Sequence, residues 1–305
     1  MELVRDPAAM RRRAAARRGA GLRLGFVPTM GALHAGHLAL VEQARADCDC
    51  AVVSIFVNPL QFGPGEDFAR YPRDLEADLD RLAGVGCDLV FAPEADDLYA
   101  SGARTRVVVE GLEAALCGRN RPGHFRGVAT VVAKLLHIVQ PHVAVFGQKD
   151  AQQALLLQRM VRDLDFDVEL RFAPIVRDAD GLALSSRNAY LAPAARREAL
   201  LLHQALRAAQ ELVAAGERDA ARVRARAAAV LARGVQVRPD YVEVVAPATL
   251  AAVERLEGRV LVAVAAWVGA TRLIDNVVLE VEGAQVREVQ LLPADAEPPR
   301  AAARP

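Results

Sequence analysis

The sequence predicts an α/β fold in which helices cover both faces of a parallel β-sheet, followed by a smaller α+β region. The runs AVVSIFV and VAVFG are almost entirely apolar, as expected of strands that are buried on both faces. Strand-like and helix-like segments alternate from residue 22 to residue 176 at the spacing of βαβ units. We therefore predict a Rossmann-like, doubly wound parallel sheet in residues 1–176 and a smaller C-terminal α+β domain in residues 177–290.

The individual elements of the first region follow from hydrophobic periodicity. The arginine-rich N-terminus is predicted to be the solvated face of a short first helix. Strands are predicted at residues 22–27, 51–57, 88–92, 142–146 and 168–176, with a small separate strand at 105–109. Helices are predicted at residues 37–46, 74–82, 128–139 and 151–164, and Pro141 ends the third of them.

The character of the sequence changes after residue 176. Two helices rich in alanine, arginine and leucine are predicted there, followed by three strands, at residues 193–215, 220–232, 240–245, 260–268 and 273–279. The apolar run between Arg259 and Arg272 is interpreted as a buried strand broken by Gly269, because it is too interrupted to span a bilayer. Residues 291–305 are rich in proline, alanine and arginine and are predicted to be a disordered tail.

Composition limits the classes of function. The chain has 305 residues, and its 38 basic residues balance its 38 acidic residues, so the formal net charge is +0. Nucleic-acid-binding proteins usually carry a basic surplus, so we expect no nucleic acid partner. The four cysteines have no zinc-ligand spacing and are predicted to be reduced, mostly buried thiols of a cytoplasmic protein without a membrane segment; they are Cys48, Cys50, Cys87 and Cys117.

Lysine occurs at only two positions, Lys134 and Lys149, and arginine supplies the other basic residues. A lysine that arginine has not displaced is a candidate for a task that a planar guanidinium cannot perform. Lys134 lies inside an apolar helical run, where chance survival is the simpler explanation. Lys149 follows a predicted strand and opens a helix, so it is the stronger candidate.

The segment PTMGALHAGH (residues 28–37) follows the first predicted strand and opens the first helix of the sheet. Ligands of open α/β sheets bind outside the carboxyl ends of the strands, and a helix N-terminus suits phosphate. His34 and His37 are spaced to face one phosphate chain, and Gly36 permits close approach of the backbone. The alternative is that the two histidines are only polar helix caps.

Three further segments offer polar groups at strand ends or in a loop. In FVNPLQFG, Asn58 and Gln61 lie among aromatic side chains, which is typical of small-molecule pockets. FGQKDAQQ supplies Lys149 for phosphate and Asp150 for ribose hydroxyls, although Asp150 could instead be a simple helix N-cap. LSSRN (residues 184–188) resembles a phosphate clamp, or else a serine-rich surface turn.

Together these segments resemble the pantothenate synthetase (pantoate–β-alanine ligase) family of the HxGH nucleotidyltransferase superfamily. The resemblance spans residues 22–279, nearly the whole chain. It departs from many family members at Gln148, where glutamate is common, and at Leu184, where methionine is common. The matching text is PTMGALHAGH, FVNPLQFGPGEDFARYPRD, RPGHFRGV, VFGQKDAQQ, GLALSSRN and DYVEVV.

The resemblance implies ATP-dependent condensation of (R)-pantoate with β-alanine through a pantoyl-adenylate, with release of pyrophosphate and AMP. It implies that His34, His37, Lys149 and Arg187 are catalytic, with His37 as the proton donor assigned in the family. Negative charge grows on the α-phosphate in the transition state, so all four also suit electrostatic stabilisation. Whether His37 donates a proton or only hydrogen-bonds phosphate stays open. The implied ATP contacts are Met30, Gly31, Ala32, Leu33, His34, Ala35, Gly36, His37, Gly147, Gln148, Lys149, Asp150, Val176, Leu184, Ser185, Ser186 and Arg187.

For the acid and amine substrates the resemblance implies a polar set and an apolar wall, formed by Asn58, Gln61, Gln153, Phe62, Val131 and Val132. It also implies Mg²⁺ with unidentified ligands and a homodimer. Two alternatives stay open. One is another small-molecule adenylyltransferase of the same superfamily, and the other is a non-catalytic nucleotide-binding regulator, which would need damaged phosphate contacts.

Overall fold

A computed structural model describes residues 1–291, and its centre is a six-stranded sheet in the order β1-β4-β3-β2-β5-β6. All five pairings between neighbouring strands are parallel, as the apolar runs predicted. The predicted doubly wound parallel sheet is therefore confirmed. The strands are β1 (Glu2–Val4), β2 (Leu24–Thr29), β3 (Cys50–Ile55), β4 (Leu89–Phe91), β5 (Val143–Gly147) and β6 (Glu169–Ala173).

Seven helices accompany this sheet in the described chain. They are α1 (Pro7–Gly19), α2 (Ala35–Asp47), α3 (Leu75–Gly84), α4 (Ala95–Leu98), α5 (Cys117–Asn120), α6 (His124–Val139) and α7 (Ala151–Asp163). Alternate residues of each strand point to opposite faces, as the pleat requires. Val52 of β3 packs in the cluster that contains α1, α6 and α7, and Val53 packs in the cluster that contains α2 and α3.

The C-terminal region is a four-stranded antiparallel sheet in the order β10-β9-β8-β7, covered by two helices. The predicted break at Gly269 is confirmed, because Gly269 adopts a left-handed φ of 59° in the turn between β8 and β9. The elements are α8 (Pro193–Ala214), α9 (Ala220–Leu231), β7 (Val237–Val245), β8 (Gly258–Val268), β9 (Thr271–Glu282) and β10 (Gln285–Glu288).

The two regions share hydrophobic core. Val260, Val262 and Val264 of β8 pack with α8 and α9, whereas the intervening Leu261 and Ala263 belong to the cluster of the parallel sheet. The division at residues 176/177 into two domains stays a prediction. The predicted disordered tail lies outside the described residues, except at Leu291, which is buried in the shared cluster.

Several predicted elements were wrong or incomplete. Residues 105–109 form no strand; the N–H of Val107 donates to Oγ1 of Thr130 on α6 at 3.0 Å, so that segment bonds a helix instead of a sheet edge. The strand β1, the short helices α4 and α5, and the strand β10 were missed because each is four residues or shorter. Helix α6 begins at His124, four residues before the predicted start.

The cysteine prediction is confirmed: all four are free thiols, and only Cys48 is not fully buried. In residues 1–291 no helix combines the length and the apolar character that a bilayer crossing requires.

Candidate active site

The predicted site residues surround the point where the strand order reverses. Strand β2 has β3 on one side and β5 on the other, and the chain leaves both β2 and β5 at the same edge of the sheet. Such a switch point forms a crevice at the carboxyl ends of the strands. A cavity of about 220 Å³ lies there.

Residues 30–37, which comprise the loop after β2 and the first three residues of α2, are called the histidine loop here. Gly31 and Ala32 both adopt left-handed φ values, 77° and 49°. The buried carboxylate of Asp78 on α3 holds this conformation, because it accepts the N–H groups of Ala32 at 2.9 Å and Leu33 at 2.7 Å. A Cβ at Gly31 would lie only 2.9 Å from Oδ2 of Asp78, so this turn requires glycine.

His34 and His37 cap the start of α2, and the capping leaves one nitrogen of each ring available. Nδ1 of His34 accepts the Gly36 N–H at 3.2 Å, and Nδ1 of His37 accepts the His34 N–H at 3.4 Å. Because a neutral imidazole that accepts at Nδ1 carries its proton on Nε2, both rings present an Nε2–H donor. Both histidines therefore cap α2, as the alternative held, but each ring also keeps a donor for a ligand, so capping is compatible with the predicted phosphate contact.

Both histidines are neutral at pH 7. Burial, followed by the charge of Lys149, lowers the pKa of His34 to about 4. Burial, followed by His34 and Lys149, lowers the pKa of His37 to about 3. The two ring centroids are 4.1 Å apart, so the rings act as a pair of adjacent neutral donors.

Lys149 lies in a 3₁₀ turn (Gln148–Asp150) between β5 and α7. The amide of Asn276, on strand β9, donates to the carbonyls of Gln148 at 3.1 Å and Lys149 at 2.9 Å. Nζ of Lys149 is 3.6 Å from Oδ2 of Asp150. Asp150 occupies the N-cap position of α7, but its side chain makes no capping hydrogen bond and stays free to face the cavity.

The segment 184–190, called the arginine strap here, closes another side of the cavity. Nε and Nη2 of Arg187 each donate to one carboxylate oxygen of Asp67, both at 2.9 Å. Oγ of Ser186 donates to the Ala32 carbonyl of the histidine loop at 3.1 Å. The strap therefore bridges residues that come from two different strand ends.

Gln61 is held by Asn58, which lies beside it in the turn after β3. Nδ2 of Asn58 donates to Oε1 of Gln61 at 3.0 Å and to the Gly127 carbonyl at 3.1 Å. Oδ1 of Asn58 accepts the Tyr99 hydroxyl at 2.8 Å and the Leu60 N–H at 3.2 Å. The hydrogen-bonding capacity of the Asn58 amide is then fully used, so Asn58 orients Gln61.

His124 and Arg121 hold the backbone of Gln61. Since arginine can only donate, Nη1 of Arg121 donates to Nε2 of His124 at 3.0 Å, and Nδ1–H of His124 donates to the Gln61 carbonyl at 2.8 Å. Burial, followed by the Arg121 charge, lowers the pKa of His124 to about 4, which agrees with this neutral tautomer. Glu66 in turn accepts from Nε and Nη2 of Arg121.

The cavity includes every predicted site residue except five. Gly31, Ala32, Leu33 and Ala35 do not line it, and the N–H groups of Ala32 and Leu33 bond to Asp78 instead. Gln148 does not line it either; its Oε1 accepts the Leu291 N–H at 3.0 Å, facing the C-terminal sheet. The assignment of these five residues as ATP contacts stays a prediction. Those that line it are Met30, His34, Gly36, His37, Asn58, Gln61, Phe62, Val131, Val132, Gly147, Lys149, Asp150, Gln153, Val176, Leu184, Ser185, Ser186 and Arg187.

A larger cavity of about 490 Å³ adjoins the first and extends between α5, α6 and the C-terminal sheet. The two cavities share Lys149, Asp150, Gln153 and Arg187 among others, so together they form one crevice. Sequence reasoning missed Tyr71, Arg121 and His124, which also line the smaller cavity. Their signal was present, since all three lie in the matching segments GEDFARYPRD and RPGHFRGV.

Within residues 1–291 no group of three or more His, Cys, Asp or Glu side chains is placed to hold a metal ion. Among the described residues that line the smaller cavity, Asp150 supplies the single carboxylate. A divalent cation bound here would therefore depend mainly on oxygen atoms of a bound phosphate and water.

Comparison with known proteins agrees with this geometry. A family model described as Pantoate-beta-alanine ligase matches residues 2–278. A pantothenate synthetase of Moorella thermoacetica is 58% identical over 281 residues, covering 92% of this chain and 99% of the relative. One of Acidobacterium capsulatum is 60% identical over 256 residues, covering 84% of this chain and 86% of the relative.

Solved structures show the same relationship. A pantothenate synthetase structure from Thermus thermophilus superposes with a TM-score of 0.86 at 46% identity, covering 96% of this chain and all of that one. A pantoate-beta-alanine ligase from Francisella tularensis, complexed with beta-gamma ATP and beta-alanine, has a TM-score of 0.73 at 31% identity. The match covers 90% of this chain and 97% of that one.

Proposed function

Because the chain belongs to the pantoate-beta-alanine ligase family, we propose that it condenses (R)-pantoate with β-alanine at the expense of ATP. The observation that carries this proposal is the meeting of the histidine loop, Lys149, Arg187 and Gln61 around one crevice at the switch point. The set combines donors for a polyphosphate with an amide and an apolar wall for a small hydroxy acid.

In the first half-reaction a carboxylate oxygen of pantoate attacks the α-phosphorus of ATP. The bond from that phosphorus to the bridging oxygen breaks, and pyrophosphate leaves with the electron pair. Negative charge therefore grows on the α-phosphate and the leaving group, which Lys149 and Arg187 stabilise as fixed cations. Asn276 keeps the Lys149 backbone in place from the opposite sheet.

His34 and His37 act in this step as hydrogen-bond donors. Burial keeps both rings neutral, so each Nε2–H can bond a phosphate oxygen. Donors that the fold already orients need no reorganisation during the reaction, so they stabilise the transition state efficiently. We therefore propose that His37 stabilises the phosphates through this hydrogen bond.

Gln61 and Gln153 orient the acid, and the apolar wall receives its gem-dimethyl group. Val131 and Val132 of α6 and Phe62 line the same cavity as the two amides. In the second half-reaction the neutral nitrogen of β-alanine attacks the acyl carbon, the bond to the AMP oxygen breaks, AMP leaves with the electron pair, and the nitrogen releases a proton to water. The crevice between the sheets shields the acyl-adenylate from water.

We assign Mg²⁺ to the nucleotide, with Asp150 as the available protein carboxylate. When bound, it would neutralise part of the phosphate charge during pyrophosphate departure. From the family resemblance we further propose a cytoplasmic homodimer. Sedimentation analysis of the purified protein at micromolar concentration checks the dimer.

Pyrophosphate–ATP exchange with Mg²⁺ and no amine tests the proposed function. Exchange that requires pantoate, followed by formation of AMP and pantothenate when β-alanine is added, supports it. Exchange with a different acid would retain adenylation and overturn the substrate assignment. Tight ATP binding without exchange for any acid would favour a regulator.

A further inference from the structure

Arg187 does not extend freely into the crevice, because Asp67 holds one edge of its guanidinium. The two N–H···O distances are both 2.9 Å, from Nε and Nη2 to the two carboxylate oxygens. The side chains are 28% and 14% exposed, so solvent screens the pair less than a surface ion pair. Asp67 belongs to the segment GEDFARYPRD, for which the proposed function assigns no role.

The strap is docked onto the Asp67 segment at further points. The Tyr190 hydroxyl donates to the Arg70 carbonyl at 3.2 Å, and the Arg187 guanidinium carbon lies 5.9 Å from the centre of the Tyr71 ring. Asp67 and Arg70 are the ends of one 3₁₀ turn. This turn is therefore the platform on which Arg187 rests.

The pairing leaves donors on Arg187. A guanidinium has five N–H donors, and the bidentate pair uses the Nε–H and one Nη2–H. No residue in 1–291 accepts a hydrogen bond from Nη1 of Arg187 in the structure. Arg187 also lines both cavities together with Lys149 and Asp150, so its remaining donors adjoin the space assigned to the phosphates.

We propose that Asp67 is a positioning residue for adenylation: it holds the Arg187 guanidinium in a fixed orientation before ATP arrives and stays paired with it during pyrophosphate departure. This inference rests on the proposed function. A pre-oriented cation stabilises developing charge better than a mobile one, because its ordering does not have to occur in the transition state.

The charge state of the pair supports this role. Burial alone would raise the pKa of Asp67, but the Arg187 guanidinium outweighs it and keeps that pKa below its ordinary value. The pair is therefore ionised across the neutral range. The opposing model is competition, in which Asp67 blocks Arg187 and ATP must displace it.

The substitution Asp67→Asn separates the two models, since it keeps the side-chain shape and removes the charge. We expect the kcat of pantoate-dependent exchange to fall about 10-fold or more, with the KM for ATP changed less than about 3-fold, as for loss of a transition-state interaction. Asp80→Asn, an exposed carboxylate on α3, is the matched control and should stay within about 2-fold of the parent. A lower KM for ATP with unchanged kcat would establish competition and overturn positioning.

A double-mutant cycle tests whether Asp67 acts through Arg187. Arg187→Gln should lower kcat about 100-fold, and adding Asp67→Asn to it should cause less than about a 2-fold further loss, because the two residues act as a unit. Independent, multiplicative losses would show that Asp67 acts in another way. Melting temperatures are measured for each variant, and Asp67→Glu replaces Asp67→Asn in the cycle if the latter does not fold.

Exchange measured in the parent protein distinguishes failure of the positioning role from failure of the proposed function. Absence of exchange in the parent with every acid tested removes the function, and the inference with it. If the parent catalyses exchange and the Asp67→Asn and Asp80→Asn variants lose equal activity, the proposed function stands and the positioning role of Asp67 is overturned.

Discussion

The histidine loop and the arginine strap face the same crevice, but the chain orders them in different ways. The histidines are oriented by hydrogen bonds to residues two or three positions away in the sequence. Arg187 is oriented by Asp67, 120 positions away. The first arrangement is part of a helix start, and the second exists only when the two segments have come together.

This difference has a physical consequence for the electrostatics. The histidine loop supplies neutral donors, since burial keeps both rings unprotonated. The strap supplies a permanent cation that is already compensated by a carboxylate. The crevice therefore stabilises phosphate charge with oriented dipoles on one side and with cations on the other.

Removing a hydrogen-bond donor from the histidine loop is expected to cause the largest loss of activity. His37→Ala should lower the kcat of pantoate-dependent exchange by about 10²–10³-fold, the range found for loss of one oriented donor at a reacting group. Steady-state exchange at saturating ATP checks it. His137→Ala, at an exposed histidine of α6, is the matched control; an equal loss there would contradict the assigned role of His37.

Lys149 is the third phosphate-binding group, and a substitution tests whether it is ordered by neighbouring residues, as the histidines are, or by a distant partner, as Arg187 is. Asn276→Leu removes both hydrogen bonds to the 148–150 turn and leaves the two carbonyls without these donors. We expect about 1–3 kcal/mol lower unfolding free energy and about a 10-fold loss of exchange activity through misplacement of Lys149. Urea unfolding and exchange measure the two effects.

Gln285→Leu, at an exposed amide on β10, is the control for that change. Loss of stability without loss of activity in Asn276→Leu would mean that the turn is rigid by itself. Lys149 would then belong with the locally ordered histidines.

The pH dependence of stability sharpens the contrast between neutral and charged groups. His124 has a folded pKa of about 4, whereas an unfolded histidine has about 6.5. Between these values the unfolded state binds more protons, so stability falls as the pH is lowered, by up to about 1.4 kcal/mol per pH unit for each such histidine. His34 and His37 contribute in the same direction.

The substitution His124→Asn should therefore remove up to about one of the protons taken up on unfolding between pH 4 and 6.5, which lowers the slope by up to about 1.4 kcal/mol per pH unit. Urea unfolding at several pH values measures the slope independently of any uniform loss of stability. An unchanged slope would show that the pKa of His124 is the same in the folded and unfolded states, and would contradict the lowered pKa.

The smallest effect is expected far from the crevice. Arg159 and Asp163 form an exposed ion pair one turn apart on α7, with an N···O distance of 2.7 Å. Asp163→Asn should cost about 0.5 kcal/mol or less and leave exchange unchanged, since surface pairs of this kind contribute little. A clear loss of activity would mean that the far end of α7 is coupled to the Lys149 turn at its start.

The sequence identified most of the candidate site because the matching segments follow strands or open helices. HxGH, the Lys149 turn and the SSR segment each indicated a polar group next to an apolar run, and all line the crevice. Gln148 shows the limit of this reasoning. The family resemblance implies an ATP contact at Gln148, which stays a prediction, and the side chain turns toward Leu291, which lies 143 residues later in the chain.

The sequence alone determined the parallel sheet and its longer helices, because these depend on periodicity, and the capping of His34 and His37 is likewise local because it involves contacts within a few residues. Only the tertiary structure decided which carboxylate holds Arg187, which amide holds the Lys149 turn, and which carboxylate holds the histidine loop. Those partners are separated by 120, 127 and 46 positions. No local pattern encodes such pairs, since they arise when burial of separate apolar faces brings distant polar groups within hydrogen-bond distance and leaves them no other partner.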